Sequence, residues 1–482
     1  MGEREHTRVN PNSFEEYLNS ALIIIESKIS RYYKNLKNAS INRIESDELS
    51  INEYSHLSSL KEIKNDQIFI LDEQKIDTTY AEETVLNGDF FWEHAAAGEA
   101  TRLGMGTKYV IDLSGFTLEK LKNMIIEELE KDLIKSGDNE KDKKIMEARE
   151  KFSEENLYKL MGVNPVNLMP ISLGTRHMLQ MVFDVRRIAL KNNKDPDAAV
   201  KKQKTLIILN ESTGKEIVSE FISYNFFGLD PMNVYFMVQK SFHGISIEAG
   251  KLFYFESDNK RLNNHGQMMM QKAIENSIFR VMDGKKIHLE KGQFESVLSK
   301  CKDLLSYNIE DIGYLTDAVD CPSLAFALNL GKKGYDMVME IVAQNPYKPQ
   351  KGGAAFFDPI LKKNVMIETN LLNGMKNEDI KHLNKNFNHY PNPVNSFRRM
   401  KKYGLELPFE VKKANDGKKY IYPCPVQGNL NFIVKTAFVM RKEVKPISNW
   451  KSAATTPPAI KAFFEQENQA GFKEFADSII KK

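Results

Sequence analysis

The residues of this chain whose types and spacing suit phosphate chemistry are concentrated in His94-Ala-Ala-Ala-Gly98-Glu-Ala-Thr-Arg102-Leu-Gly104-Met-Gly-Thr-Lys108. Ala95, Ala96, Ala97, Gly98 and Ala100 carry little or no side chain, so a ligand can approach the backbone and several N–H groups can converge on an anion. Arg102 adds a forked cation and Lys108 a point charge, two different ways of meeting phosphoryl oxygens. The loop is not a P-loop, since no Gly-Lys-Ser/Thr closes it, and its glycines at 98, 104 and 106 do not follow G-x-G-x-x-G. On spacing alone an ordinary Gly/Ala-rich turn between two buried elements remains the alternative.

Other polar residues stand at the ends of apolar runs. Gln239 closes Asn233-Val-Tyr-Phe-Met-Val-Gln239, and Glu368 closes Asn364-Val-Met-Ile-Glu368. Glu310-Asp311 follows Asn308-Ile309; carboxylates so placed are candidates for Mg²⁺, which takes one or two of them plus phosphate oxygens, although Glu and Asp also simply form turns. The turn Leu262-Asn-Asn-His-Gly-Gln267 is expected to open a helix from Met268 to about Val281, with free N–H groups at its start. Asn384-Lys-Asn-Phe-Asn388-His-Tyr-Pro-Asn392-Pro-Val-Asn395 is dense in a side chain that both donates and accepts, suiting sugar hydroxyls and loops alike. No histidine pair has metal-ligand spacing, and no G-x-S-x-G nucleophile motif is present.

The elements that must position these groups are partly readable. Ser13 and Glu16 form a capping box, and Phe14, Leu18, Ala21, Leu22, Ile25, Ile29 and Tyr32 recur on one face, predicting a helix over 13–35. Thr205-Leu-Ile-Ile-Leu-Asn210, a helix capped by Thr213 with Glu216, and the run ending at Gln239 form a βαβ unit, so the sheet is expected to be parallel with ligands at the carboxyl ends of its strands. Tyr109–Leu113 reads as a short strand, residues 114–167 as an inserted pair of helices around the solvated run 137–144, and Lys-rich strands with the run Asn429–Lys435 as leading into a helical tail. The expected organisation is an N-terminal helical segment (1–85), a main domain (86–400) and a C-terminal domain (401–482).

The chain has 482 residues, 41% hydrophobic and 28% charged, with a formal net charge of +3. That is the composition of a globular protein and too little charge to signal a nucleic-acid or membrane-surface partner. Cys301, Cys321 and Cys424 form no disulfide or zinc spacing, fitting a reducing compartment. No signal sequence or spanning segment is read, and the expected location is cytoplasmic. Oligomeric state is not readable.

Taken in order, these pieces resemble the eukaryotic-type UDP-sugar pyrophosphorylases, most nearly their UDP-N-acetylglucosamine branch. Asn225-Phe-Phe-Gly-Leu-Asp-Pro-Met-Asn-Val-Tyr-Phe-Met-Val-Gln239 is similar to that family's segment between helix and strand. Ala96–Gly104 resembles its nucleotide loop, and Leu168-Met-Pro with Gly174-Thr-Arg-His-Met-Leu-Gln180 resembles the element after it. The resemblance implies a Rossmann-like nucleotidyltransferase mixed sheet flanked by helices, with an N-terminal helical segment and a smaller C-terminal domain. It implies UTP and a sugar 1-phosphate as substrates, a UDP-sugar and pyrophosphate as products, and Mg²⁺ as cofactor. Mapped residue by residue, it assigns catalysis to Arg102, Lys108 and Lys435; nucleotide binding to Ala96, Ala97, Gly98, Glu99, Gln239, Asn264 and Gly266; sugar binding to Gly353, Glu368, Asn388 and Asn392; and the metal to Glu310 and Asp311. The chain departs from the pattern where family glycines become Ala97 and Ala100, Thr107 precedes the lysine, Glu93 and His94 enter an expected apolar strand, and Glu310 replaces Asp. A catalytically silent sugar-nucleotide-binding or scaffolding protein with the same fold is the alternative, and an enzyme of another nucleotide a third.

Overall fold

The computed structural model describes residues 8–9, 12–98, 107–212, 214–240, 242–255, 267–314, 317–344, 351–443, 450 and 453–481. Its strands are β1 Arg8–Val9, β2 Phe69–Leu71, β3 Phe90–Ala95, β4 Lys204–Asn210, β5 Val234–Gln239, β6 Ile245–Glu248, β7 Lys251–Tyr254, β8 Ile278–Met282 and β9 Lys285–His288. They continue with β10 Asp303–Asn308, β11 Met337–Ala343, β12 Gly353–Asp358, β13 Lys363–Glu368, β14 His382–Pro391, β15 Leu405–Glu406, β16 Phe409–Lys413, β17 Lys419–Pro423 and β18 Thr436–Arg441.

Among the described residues the central sheet holds twelve strands, ordered β2-β18-β11-β14-β10-β3-β4-β5-β8-β9, with the β12–β13 hairpin attached at β14. From β2 to β5 all strands point one way except β14, which runs against both neighbours. The expected βαβ unit is present: β4 and β5 pair in parallel across the helix Gly214–Ser223, while Thr213, its expected cap, lies outside the described residues. Strands β3, β4 and β5 are buried almost throughout, as parallel strands covered on both faces must be. A four-stranded sheet, β16-β17-β6-β7, packs with the N-terminal helix Phe14–Tyr33 and the helix Ile41–Ile51. Ser13 caps the former, its Oγ accepting from the Glu16 N–H at 3.1 Å. Residues 1–85 and 401–482 thus also feed the central sheet, through β2 and β18.

Several local expectations change. Tyr109–Leu113 forms two 3₁₀ turns, Lys108–Val110 and Leu113–Gly115, because the Tyr109 ring is drawn under the helix Leu173–Lys191; a Cβ on Gly174 would stand 2.0 Å from that ring, so only glycine fits. The helix expected from Met268 to Val281 is one short turn, Gln267–Gln271, after which Ile278–Met282 joins the sheet as β8, where its aromatic and β-branched side chains pack on β5. Asn429–Lys435 is mostly the 3₁₀ segment Gln427–Phe432: the Asn431 side chain accepts from Met366 N at 3.1 Å and donates to Met366 O at 3.0 Å, a side-chain amide acting as strand partner. The Asn-rich run 384–395 includes most of β14, a central strand. The insertion holds three helices where a pair was expected, Leu118–Ser136, Lys141–Lys151 and Glu154–Met161, because Ser153 caps a further turn, its Oγ accepting from Asn156 N.

No helix among the described residues is long and apolar enough to cross a membrane. The C-terminal helix Thr456–Glu467 is latched to Leu173–Lys191 by a wholly buried ion pair, Arg176 with Glu467; Glu467 also accepts from Met169 N at 2.9 Å, and Arg176 donates to Met169 O at 2.8 Å. Removing one partner strands a buried charge. Arg176→Ala should therefore cost about 3–5 kcal/mol in chemical denaturation, whereas Arg176→Met combined with Glu467→Leu should recover most of it.

Candidate active site

The carboxyl ends of β3, β4, β5 and β10 converge, and the chain leaving β3 runs along them. Ala96 N donates to Ile208 O and Asn210 Nδ2 to Ala97 O, each at 2.9 Å, so Ala96, Ala97 and Gly98 are held along the end of β4. Asn210 is in register with Gln239 on β5, both buried. Lys240 N, the next backbone donor, reaches Gln271 Oε1 at 3.2 Å and so joins β5 to the turn Gln267–Gln271. Glu99 and Arg102, with Asn264 and Gly266, lie outside the described residues.

Lys108 re-enters beside Gly98, its N–H donating to Gly98 O at 3.2 Å, and its ammonium forms an ion pair with Glu310. Glu310 and Asp311 lie in the 3₁₀ segment Ile309–Tyr314 directly after β10, and Asp311 faces the Lys385 ammonium at 3.4 Å. Trp450 N donates to Glu310 O at 2.8 Å, bringing the chain beyond β18 to the same place. All four charged side chains are nearly or wholly buried. The result is two consecutive carboxylates, each facing a lysine, at the ends of parallel strands.

Behind this layer the β3 residues unexpected in an apolar strand are satisfied. Glu93 pairs with Lys272 at 2.6 Å and accepts from Ser306 Oγ at 2.8 Å, and Gln427 Nε2 donates to that hydroxyl at 2.8 Å. On the opposite face Tyr307 OH lies 2.6 Å from His94 Nε2 and 2.5 Å from His177 Nε2. One hydroxyl proton cannot serve both, so one imidazole donates to the phenol oxygen while the other accepts from it. Phe387 stacks on Tyr307 with ring centroids 5.6 Å apart.

The other sequence-assigned residues divide. Gly353 and Glu368 face each other across the β12–β13 hairpin, whose Ala354 pairs with Leu383 near the carboxyl end of β11. Asn388 is buried halfway along β14, level with Ser306 and Met339. Asn392 and Lys435 are not brought to this edge. Asn392 follows Pro391, which pairs with Asp303 at the amino end of β10, and Lys435 precedes β18 at the amino edge, its Nζ on Lys333 O at 3.3 Å. Both stand a strand length, roughly 20 Å, from the carboxyl ends, because β14 reverses the chain and β18 has only begun. Asn210 and Lys385 are the site residues that sequence reasoning missed. The available signals were that Asn210, like Gln239, ends an apolar run, and that Lys385 is the one cation within the Asn-rich run.

The chain shares its fold with solved UDP-sugar pyrophosphorylases, as a diverged example of that fold. Uridine diphosphate N-acetylglucosamine pyrophosphorylase from Trypanosoma brucei, solved with an inhibitor, matches with a TM-score of 0.56 at 12% identity, covering 92% of this chain and 78% of that one. A point mutant of UDP-glucose pyrophosphorylase from Leishmania major, solved with UDP-glucose, matches with a TM-score of 0.51 at 12% identity, covering 87% of this chain and 74% of that one. No protein-family model matches the sequence, and no curated protein matches it.

Burial holds His177 down to about 3, and burial together with the neighbouring His177 depresses His94, so both imidazoles are neutral in the fold. Their lowered folded values mean that the unfolded chain takes up protons first as pH falls below 6.5. Their contribution to stability should therefore be lost from pH 6.5 toward 3 and be level above 6.5. Urea midpoints of His177→Gln, which does not titrate, should fall less steeply over that range than those of the wild type.

Proposed function

We propose that this chain is a UTP:sugar-1-phosphate uridylyltransferase that forms a UDP-sugar of the UDP-N-acetylglucosamine or UDP-glucose type and releases pyrophosphate. The observation that carries this reading is the convergence of the Ala96–Gly98 backbone, Lys108, Gln239 and the Glu310–Asp311 pair at the carboxyl ends of parallel strands, in a fold shared with UDP-sugar pyrophosphorylases. In the reaction a phosphate oxygen of the sugar 1-phosphate forms a bond to the α-phosphorus of UTP. The bond from that phosphorus to the β-phosphate bridging oxygen breaks, and the electron pair leaves with pyrophosphate. No group of the protein is consumed, so catalysis consists of alignment and of positive charge held where phosphoryl charge is greatest. The small residues 96–98 let the nucleotide lie against backbone, Gln239 offers an amide to the base, and Lys108 meets the triphosphate. Gly353 and Glu368 are assigned to the sugar side. Three buried cysteines outside any disulfide, Cys301, Cys321 and Cys424, support a cytoplasmic setting.

The donor set at Glu310 and Asp311 fits Mg²⁺: two adjacent buried carboxylates supply the few protein oxygens needed by an ion that keeps phosphate and water oxygens in its remaining positions. Bound there, Mg²⁺ would supply charge neutralisation to the phosphates. Each carboxylate now faces a lysine, so a triphosphate that takes over Lys108 releases Glu310 for the ion.

The direct test is pyrophosphate release from UTP with Mg²⁺ across a panel of sugar 1-phosphates. One sugar should support turnover, and Lys108→Ala should lower kcat/KM by about 10²–10³-fold. Absence of turnover with every sugar, from folded protein, refutes the proposal and favours the silent binding protein. The Lys108–Glu310 pair makes a second, opposite-signed prediction. Glu310→Gln frees Lys108, so UTP measured by calorimetry in EDTA should bind several-fold more tightly while turnover with Mg²⁺ falls.

A further inference from the structure

We infer that Lys385 is the cation that receives the phosphate of the sugar 1-phosphate, the role that sequence resemblance gives to Lys435. The inference rests on the uridylyltransferase reading of the site. Five cations are buried among the described residues: Lys108, Arg176, Lys272, Lys385 and Arg441. Arg176 is consumed by Glu467. Arg441 is fixed by Glu340 at 2.9 Å, Asp320 at 2.6 Å and Glu73, and Lys272 by Glu93. Of the five, only Lys108 and Lys385 face the carboxylates that follow β10, and Lys108 is already assigned to the triphosphate.

The backbone delivers Lys385 to this place by an irregularity. Between the pairs Met339↔Asn388 and Ile341↔Asn384 a single residue of β11 stands against three of β14, Lys385 to Phe387. Asn386 takes φ +66°, held there as Asn384 Oδ1 accepts from Asn386 N at 2.9 Å and Asn384 Nδ2 donates to Asn386 Oδ1 at 3.2 Å. Bulges re-aim a side chain that regular alternation would point elsewhere. The asparagines therefore shape the strand that places the lysine.

A sugar 1-phosphate brings a phosphate with nearly two negative charges, a stronger partner for an ammonium than the single charge of Asp311 at 3.4 Å. Lys385 lies beside the neighbour of the carboxylate that holds Lys108. A phosphate on Lys385 and a triphosphate on Lys108 thus enter from two different strands, β14 and the loop after β3, onto one acidic pair. That is the arrangement needed to bring an attacking phosphate oxygen to an α-phosphorus.

The experiment is calorimetric titration of the full chain with glucose 1-phosphate and N-acetylglucosamine 1-phosphate, and separately with UTP, for wild type, Lys385→Gln, Lys385→Arg and Lys435→Gln. Lys385→Gln should weaken the preferred sugar phosphate at least roughly thirtyfold while UTP binding changes little, Lys385→Arg should retain most of the affinity, and Lys435→Gln should match wild type. The inference is overturned by undiminished sugar-phosphate binding in Lys385→Gln, by an equal loss of UTP binding, by a loss in Lys435→Gln, or by a wild type that binds neither sugar phosphate. Should Lys385→Gln fail to fold, the KM for sugar phosphate in Lys385→Met decides: a rise of about tenfold or more with the UTP KM held supports the assignment, and no change refutes it. Binding that depends on Lys385 in a wild type without pyrophosphate release sinks the transferase reading and leaves the phosphate site standing. Turnover that is indifferent to Lys385 does the reverse.

Discussion

The parallel pairing of β3 with β10 is the constraint on which the rest of the site depends. Glu93 stands level with Ser306, His94 with Tyr307 and Ala95 with Asn308, so the small-residue loop and the acidic pair leave the sheet side by side. Both faces of this pairing are polar at its centre: the Glu93–Lys272–Ser306 cluster on one, the His94–Tyr307–His177 contacts on the other. A slip of one residue turns each of these side chains to the opposite face, stranding a carboxylate among apolar neighbours and an imidazole pair without its phenol. Apolar residues at 93 and 94 pack equally well in several registers. The polar ones make a single register far better than the rest.

The same logic of compensated burial governs the site. Lys108 with Glu310 and Lys385 with Asp311 offset each other's buried charge, so these four side chains do not burden the fold with unpaired charge. Under the proposed transferase reading the cost is competition, because a phosphate would have to displace a carboxylate to reach either lysine, and a metal ion taking the displaced carboxylates would make phosphate and metal mutually dependent by linkage. Ala97 beside Asn210 fits this picture: its carbonyl is held in place by the amide, and the nucleotide side of the loop is fixed by backbone bonds more than by glycine flexibility.

Much of this was readable before the structure. β4 and β5 announced themselves as buried apolar runs around a helix, and the polar residues that end apolar runs, Gln239 and the Glu310–Asp311 pair, do lie at strand ends on one edge. What could not be read was anything decided by pairing partners. Ile278–Met282 has a sequence compatible with helix until β5 is beside it, Asn431 looks like loop or strand until it is found bonding Met366, and Glu93 looks misplaced until Lys272 arrives from 179 residues away.

The placement of Lys435 is instructive, because strand direction decides which edge of the sheet a residue reaches. The family resemblance, followed in linear order, points to a lysine just before the last strand. In a sheet of parallel strands, however, a residue just before a strand lies at the amino edge, and only residues just after a strand reach the ligand. An antiparallel strand inverts that rule: the residues that begin β14 sit at the carboxyl edge of its neighbours, whereas Asn392, just past its end, sits with Lys435 on the far side. With β14 the one reversed strand between β10 and β11, direction puts Lys385 at the carboxyl edge and Lys435 at the amino edge, and the buried contact of Lys385 with Asp311 agrees with the proposed role of that lysine.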